Sequence, residues 1–119
     1  MKEYKIKLSF SELTIQIKRV GEDYQILLQG GEQPHIGCTV LAVPRESLRG
    51  NGVPSSTASV LNLPGHKDEA LCRLLAERLS ARENAVVACS GGFHVDGITE
   101  GQIREVYEVV EEFVAELRM

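Results

Sequence analysis

At 119 residues the chain has the length of one domain that can bury a core without disulfide or metal staples. Hydrophobic residues make up 43% and charged residues 25%, a globular balance that argues against a long disordered tail. The formal net charge is −4 and the Lys and Arg are scattered, which argues against a nucleic-acid partner. One domain over residues 1–119 is the expectation.

Residues 4 to 9 alternate, and Leu13, Ile15 and Ile17 share one face against Thr14, Gln16 and Lys18, so the chain opens on half-buried antiparallel strands. Gly21-Glu22-Asp23 supplies a tight connection, which makes residues 12 to 29 a hairpin that Gly30-Gly31 ends. The apolar run from Pro34 to Pro44 suits a central strand buried on both faces, with His35 at its start. Residues 45 to 54 carry Arg45, Arg49, Gly50, Asn51, Gly52 and Pro54, the composition of an exposed loop that could serve as a lid.

Ser55 to Leu63 reads as another strand, stopped by Pro64-Gly65. The period then changes to about 3.6, predicting a helix over residues 67 to 81 with Ala70, Leu71, Leu74, Leu75 and Leu79 as its apolar stripe and Glu69, Arg73, Glu77 and Arg78 on its wet face. Ala85 to Cys89 reads as a short buried strand that Gly91-Gly92 breaks. Thr99 and Gln102 form a capping-box pattern, and Ile103, Val106, Tyr107, Val110, Phe113, Val114 and Leu117 recur at the spacing of a final helix, with Tyr107 and Phe113 assigned to its core side. The order predicts an α+β, two-layer fold: a mainly antiparallel sheet with two helices packed on one side. A large helix stripe of this kind is also compatible with homodimer formation.

The N-terminus alternates charged and apolar residues and lacks the apolar run of a signal peptide or membrane span, so a cytoplasmic, non-membrane protein is expected. Cys38, Cys72 and Cys89 are odd in number, widely spaced and set in apolar stretches, as buried free thiols are. Cys89 keeps a smaller claim to reactivity because Ser90-Gly91-Gly92 and a histidine follow it.

Three segments carry chemistry. In Gly30–Gly37, glycines flank Pro34-His35; His35 can bond a phosphate, polarise a carbonyl, act as acid and base, or simply hold a turn. Pro64-Gly65-His66-Lys67-Asp68-Glu69 lies where a strand passes into a helix N-terminus, a position that favours an anion. Asp68 and Glu69 there equally suit helix capping and the helix dipole. In Ser90–Thr99, His94 and Asp96 form an H-x-D pair that suits either metal ligation or a histidine oriented by a carboxylate, and Phe93 is the best candidate for stacking. These residues permit a metal-assisted, histidine-dependent enzyme, but H-E-x-x-H, paired C-x-x-C and G-x-S-x-G spacings are all absent from the sequence.

The ordered set Gly31-x-x-Pro34-His35-Ile36-Gly37, Val60-Leu61-Asn62-Leu63-Pro64-Gly65-His66-Lys67-Asp68 and Gly91-Gly92-Phe93-His94-Val95-Asp96-Gly97-Ile98-Thr99 resembles the prenylated flavin chaperone domain of gallate decarboxylase D subunits. The likeness runs from about residue 10 onward. It implies a fold similar to proteasome assembly chaperones, dimer formation, and a non-catalytic accessory protein. Such a protein binds prenylated flavin mononucleotide (prenylated FMN), or FMN, and delivers it to the catalytic subunit of a reversible aromatic acid decarboxylase. Carried over to this sequence, the cofactor-facing positions are His35, Gly37, Gly65, His66, Lys67, His94 and Asp96, with Phe93 and Ile36 as an apolar wall. The alternatives are a small histidine-dependent enzyme and a ligand-free assembly scaffold.

Overall fold

The alternating first third forms three strands in sequence, β1 (Lys2–Lys7), β2 (Glu12–Val20) and β3 (Asp23–Gly31), joined as an antiparallel meander. The structure is a computed structural model that describes residues 1–64 and 68–119. β4 (Cys38–Glu46) and β5 (Pro54–Asn62) form a second antiparallel pair, followed by α1 (Glu69–Glu83), β6 (Val87–His94) and α2 (Glu100–Glu116).

The six strands make one sheet in the order β1-β2-β3-β6-β4-β5. β6 is therefore inserted between the two antiparallel blocks, parallel to β3 and antiparallel to β4. Leu13, Ile15 and Ile17 of β2, Ile26 and Leu28 of β3, Val87 and Cys89 of β6 and Val40 of β4 share one buried cluster with Leu71, Leu75 and Leu79 of α1 and Val106, Val110 and Val114 of α2. Both helices thus cover the same face of the sheet, the expected two-layer α+β arrangement.

Several local expectations change. β4 is not buried on both faces: Cys38, Val40 and Ala42 point into the core while Thr39, Leu41 and Val43 are exposed. Only one face of the sheet carries helices, so the apolar run becomes a one-sided strand. Gly91-Gly92 does not break β6, which continues to His94 because β3 pairs with it to its end, while β4 pairs with it as far as Gly91. Gly91 has φ +149, and a Cβ at that position would collide with the Leu28 carbonyl. Ala70 is exposed, and Cys72 and Ala76 take its place on the buried side of α1. Tyr107 is likewise exposed, whereas Phe113 packs edge-on against Tyr4 at 5.1 Å between ring centroids.

The helix ends follow local chemistry. Asn84 takes a left-handed conformation (φ 51) to close α1. The Thr99 hydroxyl accepts from the Gln102 N–H at 3.1 Å while the Gln102 side chain accepts from the Thr99 N–H at 2.9 Å, completing the capping box that starts α2. Among the described residues, no helix is long and apolar enough to cross a membrane.

Candidate functional site

The insertion of β6 brings distant segments to one end of the sheet. The last residue of β3, Gly31, pairs with His94 at the end of β6, and the first residue of β4, Cys38, pairs with both Gly91 and Asn62. Residues 32 to 37 must therefore arch over the end of β6 to travel from β3 to β4. The Glu32 N–H donates to the His94 carbonyl (2.7 Å), and the Gly37 N–H donates to the Gly91 carbonyl (2.9 Å). The Gly37 carbonyl in turn accepts from the Leu63 N–H at 2.9 Å. Because β5 ends beside Cys38, the start of α1 arrives at this same end.

At the centre lies Asp68. It occupies the N-cap position of α1, yet its side chain makes no capping bond. Of the alternatives for Asp68, side-chain capping of the helix is therefore not the one realised: Asp68 Oδ2 accepts from His35 Nε2 at 2.9 Å and Asp68 Oδ1 accepts from the Phe93 N–H at 2.8 Å. One carboxylate thus ties together the loop before β4, the start of α1 and the end of β6. The Asp68 side chain is 7% exposed and the His35 side chain 23% exposed, so solvent reaches the histidine more readily than the acid.

The partners of His35 define its protonation. Its Nδ1 lies 2.9 Å from the Gln33 carbonyl, which can only accept, and its Nε2 faces a carboxylate. Both nitrogens must carry a proton to satisfy both contacts, which is the imidazolium form. The His35 pKa is accordingly raised above 6.5; the bond to the Gln33 carbonyl contributes most, partial burial opposes it, and the bond to and charge of Asp68 reinforce it. The ring packs over the backbone of Gly92, where a side chain would displace it.

The His94 ring meets the His35 ring edge-on, with 6.5 Å between centroids and an interplanar angle of 78°. His94 Nε2 lies 2.7 Å from Asp96 Oδ1, so the carboxylate orients this ring and a neutral His94 presents Nδ1 as an acceptor. The predicted H-x-D pair is thus in contact, on the exposed side of the site. Phe93 is half-buried and packs edge-on against Phe10 at 6.0 Å. The predicted positions Gly65, His66 and Lys67 lie outside the described residues.

Ile36 to Thr39, which follow His35 in sequence, and Leu61 to Leu63 line a recess of about 190 Å³. Ile36, Leu61 and Leu63 are all exposed, which gives the recess an apolar rim. Sequence reasoning named Ile36 but missed Leu61 and Leu63 as wall residues; their apolar character at the end of β5 was the available signal. A larger cavity, about 490 Å³, lies at the other end of β5, lined by Pro54 to Ser56 and by Glu77, Arg78, Ala81 and Arg82 of α1. Its arginines are engaged locally: Arg82 donates to the Val114 carbonyl (2.6 Å), and Arg78 pairs with Glu111 (3.4 Å).

Among the described residues, no cluster of three or more His, Cys, Asp or Glu can hold a metal ion. Cys38, Cys72 and Cys89 are free and buried, as expected. Burial pushes the Cys38 thiol far up, and a bond to Cys89 together with burial does the same to Cys72, the reverse of an activated thiolate.

A family model described as a prenylated flavin chaperone LpdD-like domain matches residues 9–119. No curated protein matches the chain. Among solved structures, the chain is similar to one titled as a novel chaperone complex for yeast 20S proteasome assembly. The identity is 16%, the TM-score 0.51, and the match covers 98% of this chain and 94% of that one, a likeness of fold.

Proposed function

This chain belongs to the prenylated flavin chaperone LpdD-like family, and from that premise we propose that it binds prenylated FMN at the convergent end of its sheet and delivers it to the catalytic subunit of a reversible aromatic acid decarboxylase. In this reading the prenylated flavin supplies decarboxylation chemistry only in the partner enzyme. The residues of this chain bind, orient and release.

The observation that carries the reading is an apolar recess, rimmed by Ile36, Leu61 and Leu63, built in part from the same segment before β4 that carries the His35 imidazolium. A flavin needs that combination: an apolar wall for its ring system and positive charge for its anionic portion. The recess of about 190 Å³ is smaller than the roughly 300–1,000 Å³ of pockets that enclose a whole ligand. It therefore holds one part of the cofactor and leaves the remainder accessible for transfer. Gly65, His66 and Lys67 precede Asp68, the N-cap residue of α1, in sequence and are assigned to the phosphate, alongside the N–H groups of a helix start.

Gly37, whose N–H and carbonyl are both engaged, contributes close approach to the backbone rather than a hydrogen bond. His94, oriented by Asp96, offers an acceptor to a ring N–H, and Phe93 backs the site from the half-buried side. We assign the working form to a homodimer; exposed Leu41 and Val43 on β4 support it. Three unpaired cysteines favour a reducing, cytoplasmic setting.

The test is anaerobic titration of the protein with FMN and with prenylated FMN, followed by flavin fluorescence and thermal stability, with and without chelator. Saturable binding insensitive to chelator is the expected result. Absence of binding to either flavin, with a melting temperature that chelator lowers, would transfer the site to a metal-assisted enzyme.

A further inference from the structure

We propose that Asp68 is the positioning residue of this site: its buried carboxylate, shared between His35 and the Phe93 N–H, holds His35 as a fixed cation for an anionic ligand. This inference rests on the flavin reading for the identity of the ligand, though not for the state of the histidine. An aspartate at a helix N-cap ordinarily bonds the N–H groups of the first turn. Asp68 sits at that position with backbone angles φ −76 and ψ −9 and makes no such bond. Its oxygens instead reach the loop before β4 and the end of β6, at 2.9 and 2.8 Å.

That arrangement sets the direction of charge. Within the pair, the more exposed member is the imidazolium, at 23% against 7%. A ligand that approaches the pair from solvent therefore meets its positive end first. The second anchor of the ring, the Gln33 carbonyl, fixes its other nitrogen as a donor. With both nitrogens engaged, His35 offers a ligand its charge and its ring surface, while hydrogen bonds to the ligand fall to other groups.

Among the described residues, the charged and titratable groups around His35 include Asp68 from the start of α1, His94 from β6 with Asp96 beyond it, and Glu32 on the same loop, whose N–H binds the His94 carbonyl. Cys38 begins the strand that follows, and His66 and Lys67 precede Asp68 outside the described residues. Among the described residues, Asp68 is the acid that pairs with the ring.

Asp68→Asn separates charge from shape. The amide oxygen can still accept from the Phe93 N–H while the amide nitrogen donates to His35 Nε2. Nε2 must then be the acceptor and Nδ1–H still serves the Gln33 carbonyl, so the ring stays in place as neutral imidazole.

The experiment measures two quantities in wild type and Asp68→Asn across pH: the titration of the His35 ring by NMR, and the affinity for FMN by fluorescence. In wild type the ring should titrate above its ordinary value and affinity should fall as pH rises through that titration. In Asp68→Asn the ring should titrate lower, affinity below the wild-type midpoint should drop about tenfold, the equivalent of about 1.4 kcal/mol, and the pH dependence over that window should flatten. An unchanged His35 titration, or unchanged affinity and pH profile, would overturn the proposal while leaving flavin binding intact. Conversely, no flavin binding by wild type, together with a collapsed His35 titration in the variant, would remove the ligand assignment and keep the positioning role. Should Asp68→Asn fail to fold, His35→Gln takes its place: it removes the titrating charge, and retention of the wild-type pH profile in that variant would overturn the proposal.

Discussion

Gly92→Ala probes the site without removing any polar group from it. A Cβ at Gly92 would fall 2.5 Å from His35 Nε2, 2.7 Å from Cε1 and 2.8 Å from Cδ2, so the ring cannot keep its place. Swinging away breaks its contacts with the Gln33 carbonyl and with Asp68. Hydrogen bonds involving a charged group are each worth about 1.5–3 kcal/mol, less here because the ring is partly solvated and water replaces part of what is lost. Replacing glycine in a strand returns about 0.4–1 kcal/mol through the unfolded chain. The net expectation is a loss of roughly 1–3 kcal/mol, seen as a urea midpoint lowered by about 1 M. The His35 titration should move down towards its ordinary value. The decisive control is the same substitution in a His35→Ala background, where the obstructing ring is gone and Gly92→Ala should be neutral or stabilising. An equal loss in both backgrounds would place the cost in the strand itself and refute the argument. Gly31 and Gly91 are poorer probes, since a Cβ at either meets backbone carbonyls and both have positive φ.

Stability should also depend on pH through His35. Because its folded pKa is raised, its contribution is fully present below the unfolded value of 6.5 and disappears as pH rises through the folded value. Melting curves between about pH 5.5 and about pH 8.5 should show this decline in wild type and a shallower one in His35→Gln. Thr99→Ala removes the hydroxyl that accepts from Gln102 and should cost α2 about 1 kcal/mol, a fall of roughly 3–5 °C in Tm, with Thr99→Ser close to wild type. Leu61→Ser, at a position 77% exposed, should change stability by less than about 0.5 kcal/mol. Yet it should weaken flavin binding about fivefold, the equivalent of roughly 1 kcal/mol of lost apolar contact. Leu48→Ser, 89% exposed in the turn after β4, should leave affinity unchanged, and equal effects at the two leucines would remove the recess from the site.

Much of the fold was legible because its elements declare themselves locally. The alternation of Leu13, Ile15 and Ile17, the change of period after Leu63 and the Thr99–Gln102 box correspond to β2, α1 and the start of α2, with boundaries displaced by a few residues at most of the elements. The failures have a common cause: burial on the second face of a strand, and continuation of a strand through glycine, depend on neighbours that are distant in sequence. Gly91 and Gly92 punctuate a chain read alone, but β3 pairs with both and β4 with Gly91, which keeps them in the sheet. Leu41 and Val43 look like core residues until the helices are found to occupy only the other face.

The site was legible as three segments but not as one device. Each segment separately offered a histidine or a helix start with an equally good structural explanation. What decides between those explanations is where the Asp68 carboxylate goes, and a sequence cannot say whether an N-cap aspartate turns inward to its own helix or outward to residues 33 and 25 positions away. It turns outward, to His35 and to the Phe93 N–H. The insertion of β6 between β3 and β4 makes that choice geometrically available, because it places the loop carrying His35 over the strand end carrying Phe93 and His94. Topology thus converts an ordinary helix-start residue into the centre of the site. The same step explains why the charge of His35 should matter to a ligand: a histidine on an isolated turn would exchange its proton freely near neutral pH, whereas this one is held between a carbonyl and a carboxylate, one residue before the segment that lines an apolar recess.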